Sequence, residues 1–213
     1  MKTTIYFIRH GQSKGNATRS FLGHTDWDLT ELGYAQAERT ALYFKDIKID
    51  KIYSSDLIRA QNTAKPLSKL KGMEIILEPR IREIYAGEWE TKRVEDIEKI
   101  YTEDYSLWLN DIGNSKATGG ESVREVYKRA YEAIIDIVKK NLGKTVVIVA
   151  HGCVIRSLMA SLRNMAVETM RDIKWAPNSS VSRFIYDGES FVMDIEGDNS
   201  HLGELKNSPM RAM

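Results

Sequence analysis

The chain has 213 residues, 42% of them hydrophobic and 29% charged, with 31 basic against 30 acidic side chains for a net charge of +1. That is enough chain for a well-buried core, and too even a balance for the positive field that nucleic acid or an anionic membrane requires. A single cysteine, Cys153, excludes an intrachain disulfide and suits a reducing compartment. The apolar run Ile5–Ile8 is too short for a signal peptide, and no stretch approaches the roughly 18–20 apolar residues of a membrane span. The expectation is a cytoplasmic protein with no membrane or nucleic-acid partner.

Taken along the chain, strand-like and helix-like patterns alternate. Residues 3–9 (TTIYFIR) read as a buried strand. Residues 30–46 carry apolar positions at helical spacing, with Thr30 placed to cap the N-terminus. A short strand at 51–55 leads into a helix at 56–72, with Asp56 as its cap, Gly72 as its stop and Pro66 as an internal kink or early end. Residues 73–79 form a strand, and 80–120 hold irregular chain with short helices. The longest helix spans 121–143 and closes on Lys139, Lys140 and Gly143. Residues 144–150 (KTVVIVA) are the clearest buried strand, followed by a helix at 153–164. Segments 180–187 and 191–196 read as a hairpin around Gly188. There is no internal repeat or linker. The fold class is therefore α/β, a three-layer α/β/α sandwich on a mostly parallel sheet with an antiparallel edge. One domain is expected over 1–213, with a lid-like insertion at about 84–120.

The strand ends carry the chemistry. The first strand ends in Arg9-His10-Gly11. The second runs into Ser54-Ser55-Asp56, with Arg59 in the first turn of the next helix. The strand at 144–150 ends in His151-Gly152, and a helix starts at once. In an open parallel sheet these carboxyl ends share one crevice, and the helices that follow aim their N-termini into it. Two histidines, two arginines and helix N-termini in one place suit a phosphoryl group, because arginine offers a forked set of donors to phosphate oxygens.

Five stretches in order, RHGQ with Asn16 (9–16), SSDLIRAQNTA (54–64), REIYAGEWE (82–90), GGES (119–122) and VIVAHGCVIR (147–156), resemble the histidine phosphatase superfamily, which includes cofactor-dependent phosphoglycerate mutases and broad-specificity phosphatases. LTELGYAQA (29–37) and EGDNSHL (196–202) resemble its small bacterial phosphatase branch. The resemblance implies a phosphoglycerate mutase-like fold and a catalytic set of His10, Glu83, His151, Arg9 and Arg59. His10 would be the nucleophile that becomes a phosphohistidine, and Glu83 the proton donor to the leaving oxygen. Arg9, Arg59 and a charged His151 would clamp the phosphoryl oxygens, with Asn16, the Gly152 N–H and Gly23 also in the substrate-binding set. No metal and no cofactor is expected, since the four histidines, His10, His24, His151 and His201, form no ligand motif.

Departures from the family pattern cluster where a pocket mouth is expected: Thr91, Lys92 and Arg93 where glycine often follows GEWE, Trp27 and Asp28 before the first long helix, and Leu22 in place of a polar residue. Cys153, Tyr85, Trp89 and Trp108 read as packing residues. His24 reads as an exposed loop residue, His201 as tail packing, and YSLWL (105–109) as the packing side of a lid. Only 30 residues separate Glu90 from Glu121, which leaves no room for the long insertion that accompanies mutase activity in the family. The leading reading is a metal-independent phosphomonoesterase acting on a small phosphorylated metabolite. A phosphoglycerate mutase comes second and an inactive phospho-ligand module third. The 180–196 hairpin offers an edge for a homodimer.

Overall fold

The computed structural model describes residues 1–206. Its strands are β1 (Thr3–Arg9), β2 (Lys51–Ser54), β3 (Ile75–Leu77), β4 (Thr145–Ala150), β5 (Val181–Tyr186) and β6 (Phe191–Asp198). Its α-helices are α1 (Lys14–Thr18), α2 (Glu31–Tyr43), α3 (Ile58–Lys71), α4 (Val94–Ile100), α5 (Thr102–Asn110), α6 (Val123–Lys140) and α7 (Gly152–Ser161). The strands form one sheet in the order β3-β2-β4-β1-β5-β6. The first four are parallel, and β5 and β6 add an antiparallel edge. The expected mixed, mostly parallel α/β sheet is the one observed. Among the described residues no helix is long and apolar enough to cross a membrane.

Period-two alternation assigns the layers. Ile5 and Phe7 of β1 join Val146, Ile148 and Ala150 of β4 in one apolar cluster, together with Ile134 of α6 and Val154 of α7. Tyr6 and Ile8 join Val147 and Val149 in a second cluster, with Ala41 of α2 and Ala60, Ala64 and Leu67 of α3. The central strands are thus apolar on both faces, as a parallel sheet covered by helices requires. Helix α6 buries Val123, Val126, Ala130, Ala133, Ile134, Ile137 and Val138 along one stripe, and its start is fixed by a Ser122–Glu125 capping box.

Two local expectations are corrected. Helix α3 begins one residue late, with Leu57 as its cap and no side-chain cap bond from Asp56. The Asp56 carboxylate is taken by Arg82, whose Nε donates to it at 2.7 Å. Asp26, from a different loop, accepts the orphan Ile58 N–H instead, at 2.6 Å. Pro66 does not end the helix, which runs on to Lys71 and stops at Gly72 with φ 61°. Packing of Ala64 and Leu67 against the sheet offsets the one backbone bond that proline removes.

Thr91 adopts φ 65°. A left-handed backbone costs a non-glycine residue about 1–2 kcal/mol, and a β-branched side chain tolerates it least. The glycine that Thr91 replaces would carry this turn without strain. Thr91→Gly is therefore expected to raise stability by about 0.5–1 kcal/mol once glycine's larger unfolded-state entropy is taken off. Urea unfolding reads the change, and a lower midpoint would contradict it.

Candidate active site

The carboxyl ends of β1, β2 and β4 open onto a cavity of about 60 Å³. Its floor holds Arg9, His10, Ser13, Asn16, Arg59, Glu83 and Gly152, and its walls are Ser20, Phe21, Leu22, Ile84, Trp108 and Trp175. A volume of that size holds a few waters, which matches a phosphoryl group with a small organic group behind it.

His10 follows β1 directly and is 4% exposed. Its Nδ1 lies 2.7 Å from the Gly11 carbonyl. A carbonyl only accepts, so Nδ1 carries the proton and Nε2 keeps its lone pair. The turn is held from outside: the Gly11 N–H donates to Thr63 Oγ1 at 2.9 Å, and Asn178 Nδ2 donates to the His10 carbonyl at 3.0 Å. Burial, and after it the charges of Arg59 and Arg9, push the His10 imidazole well below its ordinary value, against the raising hydrogen bond to Gly11. The ring is thus neutral and nucleophilic at physiological pH.

His151 stands 5.2 Å from His10, centroid to centroid. It is fully buried, and neither ring nitrogen has a hydrogen-bond partner among the described residues. Burial first, then Arg59 and His10, push it well below its ordinary value. The charged His151 expected from the sequence is therefore not the state of the ligand-free site. The two His151 ring nitrogens and Arg9 Nε, buried with no partner among the described residues, suit the oxygens of a phosphoryl group.

The arginines are pre-oriented. Arg9 Nη1 donates to the Ala176 carbonyl at 2.6 Å. Arg59, 1% exposed, donates through Nη1 to the Thr25 carbonyl at 3.0 Å and through Nη2 to the Gly23 carbonyl at 2.7 Å. Burial pulls its guanidinium down to about 10, opposed by Glu83, Asp26 and Glu90, so it stays charged at neutral pH. Asn16 sits in the capping box of α1, where its Oδ1 accepts from the Ser13 N–H at 3.1 Å and from Asn178 Nδ2 at 3.0 Å. This fixes the amide so that Nδ2 is the group left for the cavity.

Glu83 Oε1 accepts from its neighbour Ile84 N at 3.0 Å, and Oε2 accepts from Cys153 N at 3.2 Å, in the first turn of α7. Gly152, which opens that helix, lines the cavity; a Cβ there would lie 3.4 Å from the Arg9 guanidinium carbon.

Some sequence expectations move. Gly23 frames the site rather than lining it: its carbonyl holds Arg59, and its N–H donates to Glu90 at 3.1 Å. Of the departures placed at the mouth, Leu22 lines the cavity, whereas Trp27, Asp28, Thr91, Lys92 and Arg93 do not. His24 is half-buried, and its Nε2 donates to the Glu83 carbonyl at 3.0 Å. Tyr85 is 46% exposed, with its ring tilted against His24 at 5.3 Å between centroids, instead of joining the core. Cys153 is buried packing, its thiol pushed up chiefly by burial. His201 packs on Thr40 and Tyr43 as expected.

Two contributors lie outside the expected set of site residues. Trp175 forms a wall, lying 5.7 Å from Trp108 and 4.6 Å under the Arg156 guanidinium. Glu90 organises the loop beneath Arg59, accepting from the backbone N–H groups of Gly23, His24, Thr25 and Ala86. Burial would raise Glu90, but its hydrogen bonds to Thr25, His24 and Ala86 win and hold it low.

A histidine at the end of the first parallel strand, in a crevice lined by arginines from two strand ends, marks a class of phosphoryl-transfer proteins. The model of the histidine phosphatase superfamily (branch 1) matches residues 5–199, and the chain belongs to that superfamily. It is 35% identical to phosphoglycerate mutase-like protein 4 of Arabidopsis thaliana, over 94% of this chain and 87% of that one. Among solved structures it resembles Bacillus stearothermophilus YhfR, with TM-score 0.90 and 32% identity over 94% of this chain and 99% of that one. It also resembles a mycobacterial glucosyl-3-phosphoglycerate phosphatase, with TM-score 0.84 and 27% identity over 92% and 98% of the two chains. Phosphatases and mutase-like proteins both stand among its relatives.

Proposed function

We propose that the protein is a metal-independent phosphomonoesterase that works through a phosphohistidine at His10, on esters whose alcohol is small, uncharged and largely apolar. One observation carries this reading. Among the described residues Arg9 and Arg59 are the arginines lining the cavity, no lysine lines it, and the walls beyond them are Ser20, Phe21, Leu22, Ile84, Trp108 and Trp175. Both arginines serve the transferring phosphoryl group. A second anionic group, such as the carboxylate of a phosphoglycerate or the second phosphate of a bisphosphate, would be buried here without a cation of its own, which is costly. That disfavours a mutase, which must hold such a molecule while it turns over.

In the first step the Nε2 lone pair of His10 attacks phosphorus and the ester P–O bond breaks. Glu83 transfers its proton to the departing oxygen. Arg9, Arg59, Asn16, the Gly152 N–H and His151 hold the equatorial oxygens, where charge develops. His151 enters neutral, and the phosphoryl dianion favours its protonation, reversing the effect of the arginines. In the second step water attacks phosphorus and gives its proton to the Glu83 carboxylate. The N–P bond breaks, inorganic phosphate leaves, and His10 is restored. Residues 84–120 serve as a lid that brings Trp108 over the cavity.

Among the described residues no group of three or more His, Cys, Asp or Glu side chains is placed to hold a metal ion. Phosphate release from a panel of monoesters, with mutase activity assayed in parallel, tests the reading. Hydrolysis should persist in excess EDTA, be inhibited by vanadate, and favour aryl and apolar alkyl phosphates over carboxylated ones. Dependence on added magnesium, or phosphoglycerate interconversion faster than hydrolysis, would overturn it.

A further inference from the structure

We infer that the Arg129–Glu121 ion pair is a positioning device for Glu83, acting from outside the cavity on the backbone that carries it. This rests on the proposed role of Glu83 as proton donor.

The geometry is unusually committed. A guanidinium has five N–H donors, and Arg129 makes five hydrogen bonds. Nε donates to Glu121 Oε1 at 2.6 Å. Nη1 donates to the carbonyls of Arg80 and Arg82, each at 2.7 Å. Nη2 donates to the Glu83 carbonyl at 3.0 Å and to Glu121 Oε2 at 2.8 Å. Glu121 Oε2 also accepts the Tyr85 N–H at 3.1 Å. One ion pair thus grips the chain on both sides of Glu83, at residues 80, 82, 83 and 85. His24 Nε2 donates to the same Glu83 carbonyl, at 3.0 Å.

Neither Arg129 nor Glu121 lines the catalytic cavity. Both are mostly shielded, with side-chain exposures of 21% and 17%. Arg129 is carried by α6, whose buried stripe locks it to the sheet, and Glu121 sits directly before the helix's N-cap, Ser122. Residues 82–86 have no regular secondary structure of their own to hold them. Glu83 needs such support because its carboxyl must meet a leaving oxygen next to His10. Its two side-chain hydrogen bonds, to Ile84 N and Cys153 N, hold it in the resting site but do not set where the backbone places it. Lysine at position 129 would keep the charge but could not span three carbonyls and a carboxylate.

A displaced acid matters only where the leaving group needs a proton. The test compares an alkyl phosphate with p-nitrophenyl phosphate in Arg129→Met, Arg129→Lys and Glu121→Gln, with Glu83→Gln as reference. Misplacement by about an ångström costs about 10²-fold, so single-turnover hydrolysis of the alkyl ester should fall about that far in the Arg129 variants and less in Glu121→Gln. The phosphorylation burst with p-nitrophenyl phosphate and the inhibition constant of vanadate should stay near wild type. Guanidinium ion should restore part of the alkyl rate to Arg129→Ala.

An equal fall for both substrates, or weakened vanadate binding, would mean that the pair merely supports the fold and would overturn the inference. So would an unchanged alkyl rate in Arg129→Met. If Glu83→Gln separates the substrates and the Arg129 variants do not, the inference fails and the proposed function stands. If Glu83→Gln itself shows no separation, the reading of Glu83 as the acid is what fails.

Discussion

His10→Ala is expected to abolish both turnover and the covalent intermediate. Wild-type enzyme quenched in denaturant after mixing with labelled substrate should carry phosphate that is stable in base and lost in acid, the signature of a phosphoramidate. The variant should carry none, and its turnover should fall by about 10⁴- to 10⁶-fold, the scale seen when a nucleophile is removed from a preorganised site. The geometry explains why no other group takes over. His151 is the nearest imidazole, but it is fully buried and its proposed role is to hold the equatorial oxygens rather than to attack phosphorus. The single cysteine, Cys153, is buried with its thiol pushed up by burial, so it supplies no thiolate. Vanadate should still bind the variant, because Arg9 and Arg59 keep their carbonyl partners. Retained label would place the nucleophile elsewhere, and acid-stable label would identify it as a hydroxyl.

The convergence of His10, Arg59 and His151 was legible because parallel strands bring their carboxyl ends to one side, whatever the loops between them do. The layers were legible for a similar reason: β1 from Ile5 to Ile8 and β4 from Val146 to Ala150 are unbroken apolar runs, which a strand buried on both faces needs. The supports were not legible. Glu90 holds a loop more than sixty positions earlier, and no local period announces a carboxylate that collects backbone N–H groups. Arg129 lies on the exposed-looking side of an amphipathic helix, where an arginine ordinarily reads as a solvated charge. Asp56 was read as a cap because it precedes a helix, but the stronger bidentate pairing with Arg82 claimed it. Trp175 comes from an irregular stretch between α7 and β5 with no pattern to read. Each miss involves a long-range partner, and pattern reasoning sees only neighbours.

Arg59 supplies the second large effect, and its test separates shape from charge. The side chain is held as a fork by the Gly23 and Thr25 carbonyls, and those residues are in turn fixed by Glu90. The guanidinium so held lines the cavity. Lysine would keep one positive charge but not the planar fork, and it would leave at least one buried carbonyl without its donor. Arg59→Lys is therefore expected to fall almost as far as Arg59→Ala, with kcat/KM down by about 10³-fold, the lower end of what a catalytic arginine contributes in phosphoryl transfer. Unlike the Arg129 variants, both should weaken vanadate strongly, since the clamp meets the equatorial oxygens in the bound state as well as in the transition state. The loss should also be indifferent to the leaving group, because phosphoryl charge must be held whether an alkoxide or a nitrophenolate departs. Glu90→Gln should reproduce a weaker form of the same pattern: a neutral amide accepts through one oxygen where the carboxylate now accepts through two, so the loop under Arg59 loosens while the guanidinium itself remains. Steady-state kinetics with vanadate inhibition across the three variants decides the matter. If Arg59→Lys retains wild-type vanadate affinity, the fork is not what the site uses, and the hold on the phosphoryl group passes to Arg9 and His151.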